Sequence, residues 1–559
     1  MNKSLLVLAA ATVAASSASA AVVNVTADIT ANTFWTADNE YVLDTVIFVK
    51  DGATLDIAPN TVVRGQPDQD SLLAGSLVIT PTGKIQIRGT KTQPVVFTTA
   101  ALDVNNDGVV DLNATTLRPQ RWTAGNDANF WDKNPKTSPM PIVSTTSTWQ
   151  GGKNYQMWGG LVLTGDAPTN NQNQVESDGV SGLTNDDKGF GIIEGLEPFG
   201  TLATYGGVNT THNGGSVKYV SIRHGGVGLD PDKEINGLTC YSVGSETTIE
   251  NVDIYCTSDD GVEIFGGNVN VKNINVNYAD DDGFDVDEGW RGTAQFIFVL
   301  QGLVDSRSFG DNGLEIDGED KGEKQPNIAN AGVDIDPLPY GRIFNTTVWL
   351  QSSKNAAQFK AGFAGTIANS IFQRISGAVS GNGIKIDGLI TTSTTGNNEN
   401  EPSVQTNFGT GLFQVRNNTV VGFSTGYSNF TANGVTLSTA GAATGTFTTG
   451  IYSGVVLSLS GPNQISSSTL YPALINRNTT TLDNVFAGLL AAPSHSTSGG
   501  INPRPKSTAV AALYGSTLDE AYVPAPLIAT AYKGAFDRSA ASLWTTGWTA
   551  LNLRGILAN

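Results

Sequence analysis

Cysteine, histidine and methionine are scarce in this chain of 559 residues, which contains two, three and three of them. Two cysteines cannot form the framework of disulfides that holds small extracellular domains together. Basic residues are also few, since 32 lysines and arginines stand against 51 aspartates and glutamates. A surface that binds phosphate backbones must be basic, so this balance argues strongly against nucleic acid as a partner.

Long apolar runs are missing after the N-terminus, and no later segment has the length of a transmembrane helix. The composition is otherwise that of a folded protein, because 39% of the residues are hydrophobic and low-complexity tracts are missing. Glycine is abundant, with 64 residues, which excludes a coiled coil or an array of long helices.

Residues 1–20 have the organisation of a secretory signal. Lys3 supplies the positive charge, residues 5–15 form the apolar stretch, and residues 18–20 are the small residues of a cleavage site. We therefore expect a mature chain that begins near Ala21. We expect the protein to be secreted, and to reside either in the extracellular space or on the outer surface of a bacterial cell.

One short pattern recurs along the chain: an apolar residue, any residue, asparagine, two further residues and an apolar residue. The copies are separated by close to whole multiples of 22–24 residues, and their asparagines are Asn251, Asn273, Asn345, Asn369 and Asn417. A further copy has Phe296 where asparagine would stand. Asx-Gly pairs recur in the same phase at 236–237, 260–261, 282–283, 312–313 and 382–383. Because both residue types tolerate positive φ, these pairs predict turns, each followed by an alternating strand.

A unit of 22–24 residues is too short for a crossover helix between parallel strands. The consistent arrangement is a solenoid in which each strand pairs with its copy in the next coil. Together with the strand-turn-strand units at 51–57, 82–87 and 158–163, the repeat resembles the right-handed parallel β-helix of the pectin-lyase-like superfamily, and in particular secreted bacterial β-helix proteins. In such a coil the asparagines stack in a column, and we expect them to be structural.

The predicted fold is all-β: a right-handed parallel β-helix solenoid with inserted loops and a small C-terminal cap. The N-terminal cap and first coils are expected in 21–98, an inserted loop in 99–157, the main β-helix in 158–490 and the C-terminal cap in 491–559. Further insertions are expected at 166–215, 317–340 and 389–411. Function concentrates in loops of this kind on a rigid scaffold.

The clearest chemical motif is in the first insertion. Asp103, Asn105, Asp107 and Asp111 place oxygen side chains at positions 1, 3, 5 and 9, with Gly108 at position 6. This is the spacing of a loop that wraps Ca²⁺, and it resembles the calcium loops of EF-hand-like and dockerin-like modules. At the twelfth position Ala114 replaces the usual carboxylate. The alternative is an exposed turn rich in aspartate and asparagine.

A second candidate is a band of acidic residues. Glu263, Asp285 and Glu315 follow three Asx-Gly pairs in the same register, so they are expected to form a column of like charges. Directly opposed like charges are destabilising, and such a column needs a cation, a basic partner or protonation. The readings left open are a Ca²⁺ site, a carboxylate pair for sugar chemistry and a solvated charged face. The candidate counter-charges are Arg291, Lys360 and Lys385.

Aromatic residues cluster in the first insertion. Trp122, Trp131 and Trp149 are candidates for stacking on sugar rings, although burial inside a folded loop is an equal alternative. Cys240 and Cys256 lie at apparently inward positions of adjacent coils, where they either pair or remain two buried thiols.

The residues taken together predict a secreted, calcium-stabilised binding or structural protein whose partners are polysaccharides or other components of the cell envelope. The alternative is a polysaccharide lyase or hydrolase that acts on acidic polysaccharide. A hydrolase of the polygalacturonase type is disfavoured, because no histidine lies between Asp260 and Gly383. A lyase requires a lysine or arginine near the acidic column, and no catalytic residue is assigned from sequence.

Overall fold

The computed structural model describes residues 20–69, 73–170, 189–230, 233–318, 340–350, 354–374, 381–386, 501–505 and 525–559, together with short segments between 404 and 479. Residues 1–19 of the predicted signal, Asn417 of the asparagine column and most of the predicted insertions at 317–340 and 389–411 lie outside the described residues. In the part of the chain described, no helix is long and apolar enough to cross a membrane.

Ten parallel strands form the first face of the solenoid, which we call the short sheet. Each strand pairs with the corresponding strand of the next coil. In coil order the strands are Val46–Val49, Ser76–Ile79, Leu161–Thr164, Leu238–Tyr241, Val262–Phe265, Phe284–Asp287, Leu314–Asp317, Ala357–Lys360, Asn382–Ile386 and Thr425–Ser428.

Nineteen strands form the second sheet, the long sheet, which has two rows. The first row contains Thr33–Trp35, Thr54–Ile57, Lys84–Arg88, Gly215–Arg223, Thr248–Tyr255, Asn270–Asn277, Thr293–Val304, Tyr340–Phe344, Ala364–Ala368 and Phe413–Arg416. In the central coils, four long strands of the first row continue through the corner and also form part of the second row. They are the consecutive strands from Gly215–Arg223 to Thr293–Val304. The rest of that row is Ala21–Val25, Asn39–Leu43, Val62–Gly65, Val95–Thr99, Thr347–Leu350, Ile371–Arg374, Thr419–Val421 and Asn478–Thr479, and Arg307–Phe309 pairs antiparallel with the end of Thr293–Val304.

The asparagine column marks the corner between the two rows. Asn251 lies opposite Asn273, because their neighbours pair as Glu250 with Lys272 and Val252 with Ile274. Both asparagines have a φ of 58°. Asparagine tolerates this left-handed conformation better than most residues, so the corner itself selects it. The predicted stacking of Asn251 on Asn273 is therefore confirmed.

The interior of the solenoid is a continuous apolar core between the two sheets. Val262, Phe284 and Leu314 point into it together with the residues two positions later, and all are fully buried. The acidic residues between them face outward, as strand alternation requires. With parallel strands, stacked sheets and one core, the structure is the predicted parallel β-helix.

The insertions lie on the outer faces of the coils. The 99–157 insertion packs on the long sheet through small apolar clusters, one of which joins Trp122 and Phe130 to Val42. The described part of the second insertion packs on the N-terminal strands of the short sheet. The remaining elements are the strand pairs Phe190–Ile192 with Thr204–Gly206, Gly228–Asp230 with Lys233–Glu234 and Ser458–Leu459 with Ile465–Ser466, the three strands Thr431–Ala432, Val435–Leu437 and Ala443–Thr444, and the 3₁₀ helices Asp127–Asn129, Trp149–Gly152 and Glu197–Ala203.

The C-terminal segment differs from the predicted cap. Its described residues, 501–505 and 525–559 with the single helical turn Ala550–Leu553, lie along the side of the long sheet rather than over an end. The backbone N–H of Ala550 donates to the buried Asp253 carboxylate at 2.8 Å. Further along, the rings of Phe536 and Phe298 meet edge to face at 5.2 Å. The segment covers apolar residues on the outer face of the long sheet, which would otherwise contact water.

The two cysteines are free and buried on different sides of the coil wall. Cys240 belongs to the solenoid core. Cys256 points outward under the first insertion, where its Sγ lies 3.3 Å from the carbonyl oxygen of Ile142. The expectation that both residues point inward is therefore wrong, and of the two alternatives the structure has two thiols. Burial raises the pKa of both, that of Cys240 to about 12.

Candidate functional site

The acidic residues lie on the outer surface of the short sheet, on three neighbouring strands. The pairing places Glu263 opposite Asp285, and Asp285 opposite Glu315. We call these residues, together with the aspartates of the preceding turns, the acidic face. The column expected from the sequence is thus present, and strand alternation keeps its carboxylates half-buried at the surface.

A ladder of turn residues supports this column from one side. The Asp260 carboxylate accepts the backbone N–H of Asp282 at 2.7 Å, and the Asp282 carboxylate accepts the N–H of Asn312 in the next coil. Asn236 continues the ladder on one side, and Asn312 and Asn355 continue it on the other. Each side chain thereby binds the backbone of the adjacent coil, which fixes the spacing of the turns.

The glycines that follow the ladder have a different role from the one predicted. Neither Asp282 nor Gly283 has a positive φ. Glycine is required there because a Cβ on Gly283 would lie 2.4 Å from a methyl carbon of Val299 and 2.7 Å from the carbonyl oxygen of Gly313. The Asx-Gly pairs therefore mark a close approach of adjacent coils rather than left-handed turns.

The acidic face contains two groups of three carboxylates in which one oxygen from each residue lies within 4.8 Å of the others. One group is Asp260, Glu263 and Asp285, and the other is Asp259, Asp260 and Asp281. Burial and the neighbouring carboxylates raise the pKa of Asp260, Glu263 and Asp285 well above the usual range. Desolvation and the Asp311 carboxylate raise the pKa of Asp281 to about 6. These groups are therefore poised to take up either protons or a cation.

Basic side chains neutralise the C-terminal end of the face. Lys360 Nζ lies 2.8 Å from Glu315 Oε2 and 3.2 Å from Asp317 Oδ2. Although burial alone lowers the pKa of Lys360, the carboxylates of Asp317 and Glu315 raise it above its ordinary value. Lys385 stands two coils after Glu315 in the same column, as expected from the sequence, and donates to Gln358 at 3.2 Å. The negative charge is accordingly concentrated on the coils of Glu263 and Asp285.

The first insertion brings a lysine to the edge of the acidic face. Lys153 Nζ lies 2.5 Å from Asp280 Oδ1, next to Asp281 of the second carboxylate group. Tyr155 and Phe309 provide aromatic rings 5.2 Å and 5.1 Å from the same ammonium group. Sequence reasoning missed Lys153, because 127 positions separate it from Asp280 and no local pattern marks it.

The predicted calcium loop of the first insertion forms a turn whose carboxylates bind its own backbone. Asp103 accepts the N–H groups of Asp107 and Gly108, at 3.1 Å and 3.0 Å. Asn105 accepts the same Asp107 N–H, and Asp111 accepts that of Val104 at 2.6 Å. Neither group of converging carboxylates found in the described residues includes this loop. Calcium binding by the loop stays a prediction.

The three tryptophans of the first insertion are held inside it to different degrees. Trp122 and Trp131 are buried. The indole N–H of Trp122 donates to Asp127, and that of Trp131 donates to the carbonyl oxygen of Gly108. Trp149 is half-buried, and its N–H donates to the carbonyl oxygen of Tyr155. Burial is therefore the alternative that the structure favours for Trp122 and Trp131, whose faces do not meet solvent.

The comparison with protein families gives one result. A model of the pectate-lyase-like β-helix domain matches residues 27–110 and 134–452. These ranges include every strand of the acidic face, and the interval between them lies within the first insertion. No curated protein and no solved structure gives a significant match. Because the family model covers well over half of the chain, the protein belongs to the family of pectate-lyase-like β-helix domains.

Proposed function

We propose that this protein is a secreted component of the bacterial cell surface that binds acidic polysaccharide through Ca²⁺ held on its acidic face. The observation that carries the proposal is the convergence of Asp260, Glu263 and Asp285, whose oxygens lie within 4.8 Å of one another. The family supports a polysaccharide-associated role in general terms.

The chemistry of the three carboxylates suits a hard divalent cation. Ca²⁺ accepts six to eight oxygen ligands and tolerates irregular geometry. Three carboxylates leave part of that coordination shell for water and for the carboxylates of a uronic acid polymer. A bound Ca²⁺ would offset the repulsion within the column and would present a positive charge to an anionic glycan. The face would otherwise repel such a polymer, because the chain is acidic overall.

The test is retention of the protein on polygalacturonate coupled covalently to agarose beads, in Ca²⁺ and in a chelator, so that the polymer stays in the solid phase under both conditions. We expect retention in Ca²⁺ only, and a loss of about tenfold in affinity for Asp285→Asn. Asp51→Asn, at an exposed turn far from the face, serves as the matched control and should bind like the unmodified protein. Equal retention with and without Ca²⁺ would contradict the proposal.

A second candidate function, lyase activity on the same polymer, is favoured by the position of Lys153 at the edge of the acidic face, where a cation that took the Asp280 carboxylate would release the lysine from its ion pair. A lyase needs a base that removes the proton next to the uronate carboxyl group, and a cation that stabilises the resulting charge. The insertion brings a lysine to the edge of a group that could hold such a cation. Release of unsaturated uronate products, and its loss in Lys153→Met with binding retained, would establish this activity.

A further inference from the structure

A groove of about 270 Å³ lies at the corner between the two rows of the long sheet, where the C-terminal segment passes the asparagine column. We call it the corner groove. It belongs to a different sheet from the acidic face and shares no residue with it. The residues that line it and carry the argument are Lys91, Asn273, Phe296, Tyr532, Asp537 and Trp544.

Phe296, like Tyr219 opposite Asn251, is an aromatic member of the asparagine column. Its φ is 60°, in the left-handed region that the column asparagines also occupy. Asparagine tolerates this conformation, whereas a bulky aromatic residue there is an outlier that costs folding free energy. The backbone thus gives no reason for phenylalanine at this position. The ring packs on the C-terminal segment, stacking on Tyr532 at 6.3 Å as Tyr219 meets Trp548 at 5.4 Å, and its 8% of exposed surface forms one wall of the corner groove.

A second aromatic wall is held rigidly in place. Trp544 stacks on Phe536 with ring centres 5.4 Å apart and planes 13° apart. Its indole N–H donates to the carbonyl oxygen of Ala535 at 3.0 Å. The residue is nevertheless only half-buried, and it lines the groove. A fixed aromatic surface of this kind binds the apolar face of a ligand at little cost in conformational entropy.

The polar side chains that line the groove include two charged groups and one neutral amide. Lys91 and Asp537 contribute one charge of each sign, so the lining does not favour an anion or a cation. Asn273 adds a half-buried amide, which can both donate and accept. Further along the column, the side-chain amides of Asn345 and Asn369 bind the C-terminal segment. They donate to the carbonyl oxygen of Tyr532 at 3.0 Å and 2.6 Å.

We propose that the corner groove binds a neutral sugar unit of a glycan. A pyranose has an apolar face for the aromatic walls and hydroxyl groups for the amide, the ammonium and the carboxylate. A few polar groups that converge on an apolar cleft are the usual composition of a small-ligand site. This site is separate from the proposed calcium-dependent face, and its ligand differs in carrying no charge.

The test is an array of neutral oligosaccharides, hexose and pentose polymers included, probed with the full chain in the presence of a chelator. We expect binding to at least one of them, and a loss of about tenfold for Phe296→Asn, which is roughly the effect of one stacking contact. Asparagine suits the backbone at this corner, but the ring of Phe296 is buried against Tyr532, so the variant should stay folded with a lower melting temperature. Lys91→Met should also weaken binding.

The controls separate this proposal from the calcium-dependent one. Phe34→Asn removes an exposed ring in the first coils, 60% of whose surface is accessible, and should bind normally. Asp285→Asn should also retain neutral sugars. Binding by Phe296→Asn that equals the unmodified protein, or binding of uronates alone, would overturn the proposal. It would equally fail if no neutral oligosaccharide bound.

Discussion

The side-chain amide of Asn312 donates a hydrogen bond of 3.0 Å to Oε1 of Glu315, three residues later on the same coil. The Asn312 side-chain oxygen meanwhile accepts the backbone N–H of Asn355 in the next coil, at 3.3 Å. One turn residue therefore spaces two coils and orients a carboxylate of the acidic face. Fold and candidate site share this residue.

Asn312→Ala should destabilise the protein by about 1 kcal/mol, because it leaves the part-buried backbone N–H of Asn355 in the next coil without its acceptor. The free energy of unfolding in urea measures this loss. Asn24→Ala, at an exposed position of the first coil, is the matched control and should change stability by less than about 0.5 kcal/mol. An Asn312 variant as stable as the control would show that the ladder contributes no stability.

The stability of the calcium-free protein should depend on pH through the acidic face. The pKa values of Asp260, Glu263 and Asp285 are higher in the folded protein than the usual value of about 4. Between the two values the folded protein binds more protons than the unfolded chain, so stability falls as pH rises through this interval. Asp285→Asn should reduce the fall and raise the melting temperature at neutral pH.

The measurement is a series of thermal melts between pH 4 and pH 8 in a chelator. Its decisive quantity is the difference between the unmodified protein and Asp285→Asn, because other groups titrate in the same range. A difference that does not grow with pH would mean that Asp285 has an ordinary pKa and no repulsive neighbours.

His224 should remain neutral far below the usual pKa of histidine. It is fully buried between the rings of Trp131 and Tyr255, and burial lowers its pKa to about 4. From about pH 6.5 downward the unfolded chain takes up a proton that the folded protein does not, so this contribution to stability is complete above about pH 6.5 and is lost as pH falls. NMR titration of the imidazole signals measures the pKa, and assignment is direct because the chain has three histidines. A midpoint near 6.5 for His224 would contradict the buried position.

Both cysteines should be recovered as thiols from the purified protein. Cys240 lies inside the solenoid and Cys256 outside it, with the wall of the coil between them. Alkylation in denaturant without a reductant should add two labels per chain, counted by mass spectrometry. A mass that shows no label would indicate a disulfide, and hence a different path for the strand that carries Cys256.

The coil register could be predicted from the sequence because a shift of one residue would turn Glu263 and Asp285 into the core. The Asx-Gly pairs, each followed at once by a strand, therefore specified both the pairing and the acidic column. The chemical reason for the pairs differs from the predicted one, since glycine is required at 283 by the close approach of the next coil and not by a positive φ. Composition and spacing do not distinguish a glycine required by close packing from a glycine required by a positive φ.

The contacts that the insertions make with the coils could not be predicted in the same way. Lys153 reaches Asp280 through the packing of a long loop on the outer face of a sheet, and such contacts leave no periodic signal. The C-terminal segment has the same property, since Ala550 meets Asp253 across 297 positions. The calcium pattern at 103–111 shows a related limit, because Asp103 can use its oxygens for its own backbone as readily as for a cation.

Calcium titration by calorimetry tests the central claim most directly, with the unmodified protein, Asp285→Asn and Asp107→Ala compared under one set of conditions. The account predicts saturable binding to the unmodified protein, a clear loss of affinity in Asp285→Asn, and a remaining acidic-face site in Asp107→Ala. If the unmodified protein binds no Ca²⁺, or if Asp285→Asn binds it unchanged, the acidic face is not a calcium site.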